Sequence, residues 1–165
     1  MAVFNPQLDL VFERSVDLSK EQIWQAWTVP EHLMPWFCPL PWQTVASTID
    51  LKPGGAFLTT MRSPEGAEFP HAGCYLEIVE HRRLVWTNAL LPGFRPKLFG
   101  SGDTAPCGDF AMTGILELSD HPQGTLYRAT VLHADPAGRE QHAAMGFEEG
   151  WGKALEQMVA YLKSR

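Results

Sequence analysis

Apolar and polar residues alternate from Leu8 to Leu18, with Leu8, Leu10, Phe12 and Val16 on one side and Asp9, Glu13 and Asp17 on the other. A period of two marks a strand with one buried face. Ser19-Lys20-Glu21-Gln22 follows as a capping box, which predicts a short helix through Trp27. Pro30 suits the first position of a second short helix, and Pro35 limits it. Trp36, Phe37 and Trp42 then lie among Pro35, Pro39 and Pro41. A segment this apolar and stiff is predicted to close one end of the core.

From Thr44 the period of two returns. Val45, Ile49 and Leu51 alternate, and Lys52-Pro53-Gly54-Gly55 is turn chemistry. The next strand carries Phe57, Thr59 and Met61 on one face. A third strand runs over Phe69–Glu80. A fourth, Leu84–Leu91, has Leu84, Trp86, Asn88 and Leu90 in phase. The stretch from Pro92 to Asp109 is irregular and rich in Pro and Gly, yet holds Phe94, Leu98 and Phe99. Connections of this length are usually functional; a lid over a cavity and a packed surface loop both fit. Strands resume at Phe110–Leu118, with Met112 in phase, and at Thr125–His133, with Tyr127, Ala129, Val131 and His133 in phase.

Asp135-Pro136 opens the last element, Asp as N-cap and Pro at the first helical position. At 100° per residue Ala144, Phe147, Trp151, Ala154, Leu155, Met158 and Leu162 share one arc. This predicts one amphipathic helix to Arg165, about 40 Å long. Gly146, Gly150 and Gly152 interrupt it. Close backbone packing, a bend and a shallow floor for a ligand are the three readings. Hairpin-linked strands and one long apolar-faced helix make an α+β architecture, and 165 residues suit a single domain over 1–165.

Composition narrows the function classes. A net charge of −6 without a Lys/Arg cluster argues against nucleic acid. No apolar run reaches the length of a membrane span, and the N-terminus lacks the layout of a signal peptide, so the cytoplasm is the expected compartment. Cys38, Cys74 and Cys107 form no C-x-x-C pair and are expected to be reduced. His71, His81 and His121 lie in or near turns, so neither a metal nor a cofactor is expected. Six tryptophans in a small acidic chain imply a broad apolar interior, a pocket, or both. Trp27, Trp36, Phe37, Phe57, Met61, Trp86 and Met112 fall on inward faces or in the aromatic segment, and Trp151 lies on the helical arc. Thr59, Asn88, His133 and Glu148 would be the few polar groups of such a chamber. Glu148 is either an ion-pair partner at the rim or a buried acid; His133 is either a core histidine or a polar anchor; His142 projects to the solvated side of the helix.

The sequence also resembles a known family. Ile23-Trp24-Gln25-Ala26-Trp27, Pro30-Glu31-His32-Leu33 with Trp36-Phe37, and Leu51-Lys52-Pro53-Gly54-Gly55-Ala56-Phe57 carry the likeness. Gly73–Val79 with Arg83–Thr87, Gly124-Thr125, His133 and Met145–Trp151 with Leu155 complete it in order. These pieces resemble the START-like, helix-grip (SRPBCC) proteins, in the branch named after the activator of the ninety-kilodalton heat-shock chaperone's ATPase. The resemblance implies a curved six- to seven-stranded antiparallel sheet gripping the C-terminal helix, two short helices after the first strand, and a cavity between. It also implies three functions. The first is binding of a small apolar or aromatic molecule. The second is a co-chaperone role, against which stands the additional N-terminal domain of the chaperone activators, since this sequence opens directly on its first strand. The third is a cyclase or hydrolase, for which the residues themselves, not the resemblance, offer His133 and Glu148 as an acid–base couple if the fold brings them together. Ligand binding ranks first, and a homodimer would cover apolar surface on the Pro35–Trp42 segment.

Overall fold

The computed structural model describes residues 4–99 and 110–165. Strand β1, Asp9–Val16, is followed by α1, Lys20–Thr28, and α2, Pro30–Leu33. Ser19 and Gln22 close the capping box reciprocally, and Pro30 occupies the start of α2. The chain then runs through β2 (Gln43–Ile49), β3 (Ala56–Arg62), β4 (Glu68–Val79) and β5 (Arg83–Thr87). A small hairpin, β6 (Leu90–Leu91) and β7 (Arg95–Pro96), precedes β8 (Met112–His121) and β9 (Gly124–His133). Two helices end the chain: α3, Pro136–Ala144, and α4, Phe147–Lys163.

Seven strands form one antiparallel sheet in the order β1-β9-β8-β5-β4-β3-β2. Successive hairpins build β2 to β5, whereas β1 pairs with β9 from the far end of the sequence. The two short helices therefore cross from one edge of the sheet to the other. The inward faces follow the period-two reading. Phe12, Leu116, Tyr127, Ala129 and Val131 are almost fully buried, and α4 adds Phe147, Leu155, Met158 and Leu162 against them. This is the helix-grip arrangement. The aromatic residues of the proline-stiffened segment pack inward as well, with Trp36 and Cys38 buried, while Leu40 is half exposed.

Three expectations change. The predicted fourth strand stops at Thr87, because Thr87 and Asn88 turn their side chains onto the backbone of Phe110 and Met112. The irregular stretch at 92–109 lies partly outside the described residues. Its described part holds the β6–β7 hairpin, with Phe94 half exposed and Leu98 almost fully so.

The third correction concerns the C-terminal helix, which is two helices. Gly146 adopts φ +85° and separates α3 from α4. That left-handed conformation costs glycine little and other residues about 1–2 kcal/mol. The three glycines thus divide among the readings. Gly146 makes the bend. Gly152 faces Phe12 and Gly150 faces Pro39, at 3.7 and 3.8 Å from where a Cβ would stand, an ordinary contact distance that does not require glycine.

Candidate functional site: an aromatic chamber between sheet and helices

A cavity of about 450 Å³ lies between the sheet and α4, within the usual size range of small-molecule sites. Trp27 of α1 stands at its centre. Its ring centroid is 5.1 Å from those of Trp36 and Trp86, 5.6 Å from Phe37 and 6.4 Å from Trp151. Most of these pairs are edge-on or tilted, the geometry the ring quadrupoles favour. Trp86 reaches its place because Gly114 lies opposite it on β8: a Cβ there would come within 2.4 Å of the indole. Trp27 Nε1–H donates to the Tyr127 hydroxyl at 3.1 Å in full burial, and burial pushes the Tyr127 phenol far above its ordinary range.

Ten of the twelve sequence-predicted residues line this cavity: Trp27, Trp36, Phe37, Phe57, Thr59, Met61, Trp86, Asn88, Met112 and Trp151. Period-two phasing placed Phe57, Thr59, Met61, Trp86, Asn88 and Met112 and the helical arc placed Trp151, whereas Trp27 came from the first short helix and Trp36 and Phe37 from the proline-stiffened aromatic segment. Asn88 lines it with its amide tied to the backbone, donating to Phe110 O at 2.9 Å and accepting from Met112 N at 2.8 Å. Thr87 is bound in the same way to Met112 O, Ala89 N and Thr113.

Glu148 and His133 are not among the lining residues. Glu148 is exposed and bonds Arg14 of β1 at 2.8 Å; of its two readings, the ion pair is the one realised. It sits 100° round α4 from Phe147, at the margin of the apolar face, and a charge there turns to a cation and water rather than into the core. His133 is buried at the end of β9. It meets Leu8 O through Nδ1 at 2.8 Å and His142 Nδ1 through Nε2 at 3.0 Å. Its partner is therefore His142, not Glu148, and the acid–base couple drawn from the sequence does not form.

His142 was expected on the solvated side of one continuous helix. Because the chain breaks at Gly146, α3 carries it inward, where it lines the cavity between Phe110 and Phe147, at 4.9 and 5.1 Å. Burial, and then the neighbouring His133, push its pKa down to about 4. His71 is likewise not at a turn. It lies inside β4, opposite Thr59 of β3, and lines the cavity, with its Nε2 buried and without a partner among the described residues. Burial, then the charge of Lys97, lower its pKa. Its register opposite an inward Thr59 was the signal available in the sequence. His142 had no such local signal.

Among the described residues no Asp, Glu, Lys or Arg lines the chamber. Among the described residues, too, no group of three His, Cys, Asp or Glu is placed to hold a metal and no helix is long and apolar enough to cross a membrane.

Comparison with known proteins places this geometry. The family profile described as activator of Hsp90 ATPase homolog 1-like protein matches residues 17–163. The chain belongs to that family. No curated protein gives a significant match. Among solved structures, a Nitrosomonas europaea protein is 38% identical, covering 98% of this chain and 97% of its own, with a TM-score of 0.89. A Rhodobacter sphaeroides protein shares the fold at 20% identity, with coverage of 97% and 96% and a TM-score of 0.79. The AHSA1-like protein from Aeromonas hydrophila does so at 20% identity, with coverage of 95% and 93% and a TM-score of 0.67. The activator-homologue family and its START-like fold thus account for the seven-stranded sheet gripping α4.

Proposed function

We propose that this activator-homologue protein binds a small apolar or aromatic molecule in the chamber between the sheet and the α3–α4 pair. The observation that carries the reading is the chamber itself: about 450 Å³, walled by Trp27, Trp36, Phe37, Trp86 and Trp151, with no charged side chain among the described lining residues. Aromatic walls reward apolar ligands by removing their surface from water. The absence of a counter-charge disfavours ions, whose desolvation nothing would offset. The Trp27–Tyr127 hydrogen bond holds the central indole in one orientation, so the aromatic wall is in place before a ligand arrives. Cys38 and Cys74 are buried free thiols, in keeping with a reducing, cytoplasmic setting.

Native mass spectrometry of protein from its own host, with a thermal-shift screen of neutral aromatic compounds, tests this. A ligand at a hundredfold its Kd should stabilise the fold by about 2.7 kcal/mol, a rise in Tm of about 5–10 °C for a chain of this size. An empty protein that no compound shifts would overturn the proposal and turn attention to protein partners, the chaperone first.

A further inference from the structure

The hydrogen bonds at the α3–α4 junction determine which ring nitrogen of His142 holds a proton. A backbone carbonyl only accepts, so His133 Nδ1, 2.8 Å from Leu8 O, must carry a hydrogen. In the neutral ring His133 Nε2 then holds a lone pair. His142 Nδ1, 3.0 Å away, must donate to it. The remaining nitrogen, His142 Nε2, is left as a lone-pair acceptor. It has no hydrogen-bond partner among the described residues, on a side chain that lines the chamber.

We infer that His142 Nε2 is the recognition point of the chamber, and that the ligand is a neutral aromatic molecule whose O–H or N–H donates to it. This rests on the ligand-binding reading and narrows it. The relay Leu8 O, His133, His142 fixes the polarity: an ether or carbonyl oxygen on the ligand would meet a lone pair, not a proton. Thr87 does not compete for the donor, because its hydroxyl donates to Met112 O and accepts from Ala89 N and Thr113, and Asn88 Oδ1 already accepts from Met112 N. Phe110 and Phe147 pack against the imidazole, their ring centroids 4.9 and 5.1 Å away. Burial keeps His133 and His142 neutral near pH 7. A carboxylate on the ligand would face the same lone pair with no cation among the described lining residues to balance it.

Two measurements test the inference. Long-range 1H–15N NMR of the histidine side chains at neutral pH, without ligand, should find the proton of both His133 and His142 on Nδ1. A His142 proton on Nε2 overturns the inference whatever the chamber binds. The second is titration of tryptophan fluorescence with 1-naphthol, 1-methoxynaphthalene, naphthalene and 1-naphthoate. The single donor of 1-naphthol should bind about twofold to tenfold more tightly than its methyl ether, the range of one net hydrogen bond. His142→Phe should abolish that preference and retain naphthalene binding. Equal binding of naphthol and ether, tightest binding of naphthoate, or a preference that survives in His142→Phe overturns the assignment while leaving the chamber a binding site. In the last case Thr59 and His71 read the donor. If none of the four probes binds the unmodified protein, the ligand-binding reading itself falls and takes this one with it.

Discussion

The two walls of one chamber are built to opposite specifications. On the α1 side Trp27 is almost fully buried, meets aromatic neighbours around its ring and gives its only N–H to Tyr127. On the α3–α4 side His142 is half-buried, held by one hydrogen bond to His133, with its second nitrogen uncommitted among the described residues. The first wall is core that also lines a cavity. The second is the proposed site, which the core supports. Lining a pocket is thus not by itself a functional distinction. Whether a side chain's hydrogen-bonding capacity is already satisfied separates the two.

The contrast is broken most severely by Trp27→Ala. Removing a buried aromatic and its bond to Tyr127 should destabilise by about 3–5 kcal/mol, read by urea denaturation. A loss below about 1 kcal/mol would show that the α1 wall is not core. Acidification acts on the other wall. His142 titrates from 6.5 in the unfolded chain to about 4 in the folded one, and His133 is lowered too. Between these values the unfolded chain binds more protons, so stability is lost as pH falls from 6.5 towards 4. The slope is at most about 1.4 kcal/mol per pH unit for each histidine. Urea titrations at several pH values should show this slope, and His142→Phe should reduce it. An unchanged slope would place the titrating group elsewhere.

Gly146→Ala should cost about 1–2 kcal/mol through its left-handed backbone and should weaken ligand binding more than it weakens the fold, because it re-aims α3 relative to α4. Equal effects on both would remove the distinction between the walls. The smallest effect belongs to Glu148→Gln, an exposed pair worth about 0–1 kcal/mol. It should leave probe affinity unchanged, and a large loss of affinity would return Glu148 to the site.

The legible part of the molecule is the part decided within a few residues. Phe57, Thr59 and Met61 share a face because strand side chains alternate. Ser19 and Gln22 start α1 because a hydroxyl and an amide three residues apart satisfy the first free backbone groups. Asp135 starts α3 for the same reason, its carboxylate accepting from Gly138 N at 2.7 Å. The family resemblance joined these pieces into the right sheet.

The errors at the C-terminal end share one origin. A helical wheel drawn from 136 to 165 assumes a single phase, and one left-handed glycine resets it. Gly146 was recognised as an interruption, but the same residue is compatible with packing, with a floor or with a break. Tertiary contact selects among them, since the His133–His142 bond ties α3 to β9, and His133 in turn meets Leu8 O just before β1. That choice turns His142 inward, and Glu148 is left at the edge of α4 beside Arg14. The sequence by itself therefore determined most strands of the main sheet, the caps, the inward aromatics and the family. Only the tertiary structure decided which polar groups meet, because hydrogen-bond partners from distant segments depend on the angle between elements, and no local periodicity encodes that angle.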